Sequence, residues 1–184
     1  MPKSQVTAAI QYYLDPAQSG IEYLGKVYTA LPRVANESDL FSYVPPGTQI
    51  GALIYLFISD QAEQRIALGG QHAGVKMRTY TLTLLCIMKT SLQNEVQEQA
   101  AFDAFIDSLT ARIQADRNAW TEATALGGQG PYANTGYVWQ WGEGPGPDGG
   151  TDLHFEYPVP HTINGGVMIH QAVGRISVEE QLET

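Results

Sequence analysis

Metal and acid–base chemistry would fall first to the histidines, and the chain has four: His72, His154, His161 and His170. A metal held by a single element needs H-x-x-x-H on a helix or H-x-H on a strand, because those spacings put two imidazoles on one face. Neither spacing occurs. His154 and Glu156 stand two residues apart in "LHFEYPV", where a strand would set an imidazole beside a carboxylate. That pair keeps open a metal-binding module or an enzyme. Asp103 and Asp107 lie at i and i+4 on a predicted helix and share a face, which suits paired-carboxylate chemistry or a plain solvated surface. No G-x-S-x-G elbow is present, and "ALGGQG" lacks the lysine of a phosphate-binding loop. Cys86 sits in the apolar run "LTLLCIM" and reads as a small buried hydrophobe. Tyr137, Trp139 and Trp141 alternate along a short predicted strand. They can stack a sugar or a base, or pack a core or a protein interface. Nothing in this set requires a cofactor, and no catalytic or metal-ligating residue is assigned.

The charge pattern narrows the class of partner. Net charge is -9, with seven Lys/Arg and six Asp/Glu in residues 1–92 but three and thirteen in residues 93–184. Phosphate binding needs clustered cations, so an acidic surface argues against nucleic-acid recognition. The asymmetry serves solubility, or lets copies meet head to tail. Arg65, Lys76 and Arg78 flank the turn "GGQHAG" and form a small basic cluster, partly offset by Asp60 and Glu63. The cluster is either an interface or an ordinary solvated hairpin. The lone cysteine excludes an intrachain disulfide framework. No run approaches the roughly 18 apolar residues of a membrane span, and the N-terminus lacks a signal-peptide pattern. A soluble protein, intracellular when made, is expected.

The elements that would position these residues follow from periodicity. With 184 residues, 43% of them hydrophobic, the chain suits one α+β domain over 1–184. Residues 4–15 predict a helix, with Val6, Ala9, Ile10, Tyr13 and Leu14 on one face, Ser4 at its start and Asp15-Pro16 at its stop. Residues 16–50 give only a short turn or helix and a loop at "YVPPGTQ". Residues 51–59, 64–68 and 75–89 predict an antiparallel meander, the first strand buried on both faces. In the last strand Tyr80, Leu82, Leu84, Cys86 and Met88 make one apolar face. The opposite face begins Thr79, Thr81, Thr83 and turns apolar at Leu85 and Ile87, so it should be covered for only part of its length. Thr90 or Ser91 is expected to cap a long helix with the stripe Val96, Phe102, Phe105, Ile106, Leu109 and Ile113. A glycine-rich loop is expected over about 121–152, containing the strand Tyr137–Trp141, and further strands over 153–159 and 166–180.

This order of elements resembles the tail terminator proteins of long-tailed bacteriophages. The likeness runs over roughly residues 4–118 and 166–180, through "ARIQADRNAW" at the helix end and "GRISVEEQ" in the last strand. Segments 16–50 and 121–165 exceed what a minimal member needs. The resemblance implies an antiparallel sheet packed by one long helix and a shorter N-terminal helix, in a virion protein without catalytic residues. Such a subunit forms a ring with itself, most commonly a hexamer, that caps the tail tube protein, ends polymerisation and meets a head completion or connector protein. On this reading Arg65, Lys76, Arg78, Thr79, Thr81, Thr83, Tyr137, Trp139 and Trp141 are the candidate interface residues. Another head–tail connector, a tail tube subunit, and a carbohydrate- or metal-binding module or enzyme are the alternatives.

Overall fold

A computed structural model describes residues 3–30, 41, 48–68, 74–92, 94–115, 139–141, 153–163 and 167–183. Helix α1 (Lys3–Tyr13) buries Val6, Ile10 and Tyr13, as its spacing predicts. The one-turn α2 (Pro16–Ser19) follows: the Ala17 N–H donates to the Asp15 carboxylate at 2.9 Å, and Gly20 ends the turn at φ +66°. Asp15 therefore starts a new turn as well as closing the first helix. Strands β1 (Leu24–Tyr28), β2 (Ile50–Leu68) and β3 (Gly74–Thr90) precede α3 (Glu95–Ala115). Three short strands, β4 (Trp139–Trp141), β5 (His154–Glu156) and β6 (His161–Ile163), lead to β7 (Val167–Glu183).

The seven strands among the described residues form one sheet with the order β1-β2-β3-β7-β4, and β5 and β6 also pair with β7. The short strands share one edge of β7: β6 at Val167–Ile169, β5 at Val173–Arg175, β4 at Val178–Glu180. The expected purely antiparallel sheet is corrected in one respect. β1 pairs with β2 in parallel, so the sheet is mixed. A register shift between Leu24 and Lys26 breaks the two-residue alternation that would announce a strand.

The expected meander is also corrected. Residues 50–68 are one strand of 19 residues paired along its length with β3, rather than two strands separated by a turn. The polar stretch "SDQAEQ" contains no Gly or Pro to stop the strand. Residues 59–64 are exposed there, so polarity costs nothing on either face. Register shifts between Ile58 and Asp60 and between Arg65 and Ala67 absorb the change of phase.

The core lies between the helices and one face of the sheet. Tyr80, Leu82, Leu84, Cys86 and Met88 are all buried there, with Ala52, Ile54, Leu56, Ala172, Ile176 and Val178 from the neighbouring strands. Phe102, Phe105, Ile106, Leu109 and Ile113 of α3 pack on them. Each buried aliphatic or aromatic side chain stabilises the fold by about 1.5–3 kcal/mol before entropy is counted. Val96 does not belong to this stripe: it is 79% exposed. Its place in the first turn is taken by Glu98, which precedes Phe102 by one turn and is buried. The Glu98 side chain accepts the Leu92 N–H at 2.8 Å, which gives the buried carboxyl group a partner.

The start of α3 differs from expectation too. Thr90 ends β3, and Ser91 donates its N–H to the Gln49 carbonyl at 2.9 Å. Asn94 caps the helix instead, its side chain accepting the Gln97 N–H at 3.2 Å. Of the expected glycine-rich loop over 121–152, only Trp139–Trp141 falls among the described residues, as does only Gly74 of "GGQHAG".

Candidate interaction surfaces

On the sheet face away from α3, a second apolar cluster gathers Phe41, Leu53, Tyr55, Ile87 and Ile169, with Tyr28, Leu85 and Val167 beside it. Alternation places these residues opposite the core, since Leu53 and Tyr55 interleave with Ala52, Ile54 and Leu56. The Tyr28 and Tyr55 rings stack at 5.4 Å between centroids. Two cations lie over this aromatic surface: Lys26 Nζ is 5.0 Å from the Tyr28 ring centre and Lys89 Nζ 6.0 Å from that of Phe41. Phe57, two residues along from Tyr55, is 41% exposed. The buried Tyr55 hydroxyl has no hydrogen-bond partner among the described residues. Burial, then neighbouring Tyr28, raises its pKa.

Further along the same face lies the threonine row. Thr79 and Thr81 are half-buried and Thr83 is buried. The Thr83 hydroxyl donates to Ser59 Oγ at 3.0 Å, and Ser59 Oγ donates to the Thr81 carbonyl at 3.2 Å. The threonine row is thus held by its own hairpin. Arg65 and Lys76 are register partners, so the hairpin does bring these two backbone positions together. Arg78 is opposite Glu63 and forms an ion pair with it, Nη2 to Oε2 at 2.8 Å and Nε to Oε2 at 3.2 Å. Part of the cluster's charge is thereby neutralised within the chain. Trp139 and Trp141 lie at register positions opposite Glu180 and Val178. Tyr137 lies outside the described residues.

A second surface lies on the helix side. Tyr157 is 60% exposed and rests edge-on against Phe102 at 6.5 Å and beside Phe155 at 6.3 Å. Pro158, Val159 and Pro160 continue as exposed chain without regular structure. Partial burial, then the carboxylates of Asp103 and Asp107, raises the Tyr157 pKa. Both aspartates are exposed on α3, and Gln99 bonds Asp103 at 2.7 Å. This surface is apolar at its centre and acidic at its border.

The remaining candidates are quieter. His154 and Glu156 are exposed on β5, and Glu156 accepts from Arg175 Nη1 at 2.7 Å. No group of three or more His, Cys, Asp or Glu is placed to hold a metal among the described residues. Cys86 is buried, and burial pushes its thiol pKa up. His170, which its spacing gave no reason to single out, is buried and stacks on Phe102 at 5.2 Å. Neither of its ring nitrogens has a hydrogen-bond partner among the described residues. No helix among the described residues is long and apolar enough to cross a membrane.

Fold and surfaces together define an α+β chain built on one mixed sheet. No protein-family model matches this chain, and no curated protein matches it.

Proposed function

We propose that the chain is a structural virion subunit of a long-tailed bacteriophage, a tail terminator that assembles with itself into a hexameric ring. The ring caps the tail tube protein, stops its polymerisation and offers the opposite rim to a head completion or connector protein. The subunit is made in the host cytoplasm and acts in the virion without catalysis or a cofactor. The observation that carries this reading is the sheet face opposite the core. Beyond the buried cluster around Tyr55 it carries the half-buried Tyr28 and the exposed Phe57 and continues into a threonine row, so it suits a mixed protein–protein contact. Support also comes from the long helix on the other face. The uneven charge of the two chain halves favours head-to-tail neighbours.

Electron microscopy of the purified chain, alone and with its tube protein, tests the proposal. Rings of uniform diameter and tubes of bounded length are expected. Long tubes made by this chain alone indicate a tube subunit instead. Tubes whose length is indifferent to the chain exclude a terminator.

A further inference from the structure

Three of the exposed large hydrophobics, Phe57, Tyr157 and Val159, fall on the two surfaces described above, which occupy opposite sides of one subunit. We propose that the Tyr157–Pro160 segment of one copy docks on the aromatic sheet face of the next copy, around Lys26, Tyr28 and Phe57, so that the subunits close head to tail. The inference rests on the ring reading and names the contact that makes the ring.

The two surfaces match in apolar character and charge. Tyr157 and Val159 each precede a proline, which biases both to extended or polyproline backbone. Such a segment has little conformational freedom left to lose, and it docks best on aromatic grooves. The half-buried Tyr28, backed by the buried Tyr55 ring, and the exposed Phe57 supply aromatic surface of this kind. Asp103 and Asp107 border the donor segment, whereas Lys26 and Lys89 border the acceptor. Because donor and acceptor are different patches, the contact is heterologous. Such contacts generate rings when the rotation closes.

The test uses the full chain. Tyr157→Ala/Val159→Asp and, separately, Lys26→Glu/Lys89→Glu are expected to weaken self-association about tenfold or more while circular dichroism stays that of the parent. Asp103→Lys/Asp107→Lys is expected to do the same, and mixing it with the Lys26→Glu/Lys89→Glu chain should restore assembly. Phe57→Cys and Val159→Cys chains, mixed under a mild oxidant, are expected to give a covalent dimer that neither yields alone. Rings that survive these substitutions with parental affinity overturn the contact while leaving the ring reading intact, and they assign the two surfaces to other tail proteins. A parent chain that never self-associates, with or without its tube protein, overturns both.

Discussion

The Arg112 guanidinium lies 4.1 Å over the Tyr13 ring, while the Tyr13 hydroxyl donates to the Arg112 carbonyl at 2.8 Å. A third link runs back, from Arg112 Nη2 to the Tyr13 carbonyl at 3.3 Å. The two residues are 99 apart in sequence, and their contact fixes the end of α1 to the last turn of α3. Tyr13→Phe keeps the ring and loses the hydroxyl, so it should cost about 1 kcal/mol. Arg112→Ala removes the stacked cation and its bond together and should cost about 2 kcal/mol. Urea unfolding of the two variants checks the order.

His170 is expected to make the fold acid-sensitive. Burial lowers its pKa below the ordinary 6.5, although Glu98 and Asp103 pull the other way. A folded pKa below the unfolded one means that the unfolded chain binds the proton first. The stabilisation is therefore complete above the unfolded value and declines as pH falls below 6.5. The slope reaches at most about 1.4 kcal/mol per pH unit. His170→Leu should flatten that part of the profile relative to the parent. Identical profiles for the two chains between neutral pH and pH of about 5 would show that His170 does not titrate on unfolding.

The stripe on α3 gives a paired prediction. Phe105 is fully buried and Val96 is 79% exposed. Phe105→Ala should cost about 3–5 kcal/mol, since it leaves a cavity against the sheet. Val96→Ala should change stability by no more than about 0.5 kcal/mol. Comparable losses would mean that the helix is rotated from the orientation described.

Gly174 makes room for an aromatic ring. A Cβ built there would stand 2.5 Å from Phe155 Cε1, on the strand that pairs with it. Gly174→Ala must therefore displace the ring and should cost about 1–3 kcal/mol. The loss should be much smaller in a Phe155→Ala background, and the double-mutant cycle measures that coupling. Additive losses would mean that the cost of the added Cβ does not come from the Phe155 ring.

Much of this scaffold is legible in the sequence where one periodicity runs unbroken. The alternation from Tyr80 to Met88 names the core face of β3, and the spacing from Phe102 to Ile113 names the buried face of α3. Legibility fails where a local irregularity interrupts the period. The shift at Leu24/Lys26 hides β1, and the shift at Ile58/Asp60 makes one strand look like two. It fails at the start of α3 because Thr90 and Ser91 look like caps, whereas Asn94 does the capping. The surfaces were least visible. The aromatic face draws on β1, Phe41, β2, β3 and β7, and Tyr157 meets aspartates some fifty positions away. Sequence alone shows the uneven charge of the two halves, but only the sheet register sets Tyr28 opposite Tyr55 and Lys26 opposite Leu53, and only the packing of Tyr157 on Phe102 brings it to Asp103.

The central claim, that the chain closes into a ring of its own copies, is met most directly by its mass in solution. Native mass spectrometry or sedimentation velocity should find a discrete hexamer at low salt, alone or on its tube protein. Added salt should weaken it as the exposed Lys26 and Asp103 charges are screened. A single-copy mass at high protein concentration and low salt, with the tube protein present, would contradict the account.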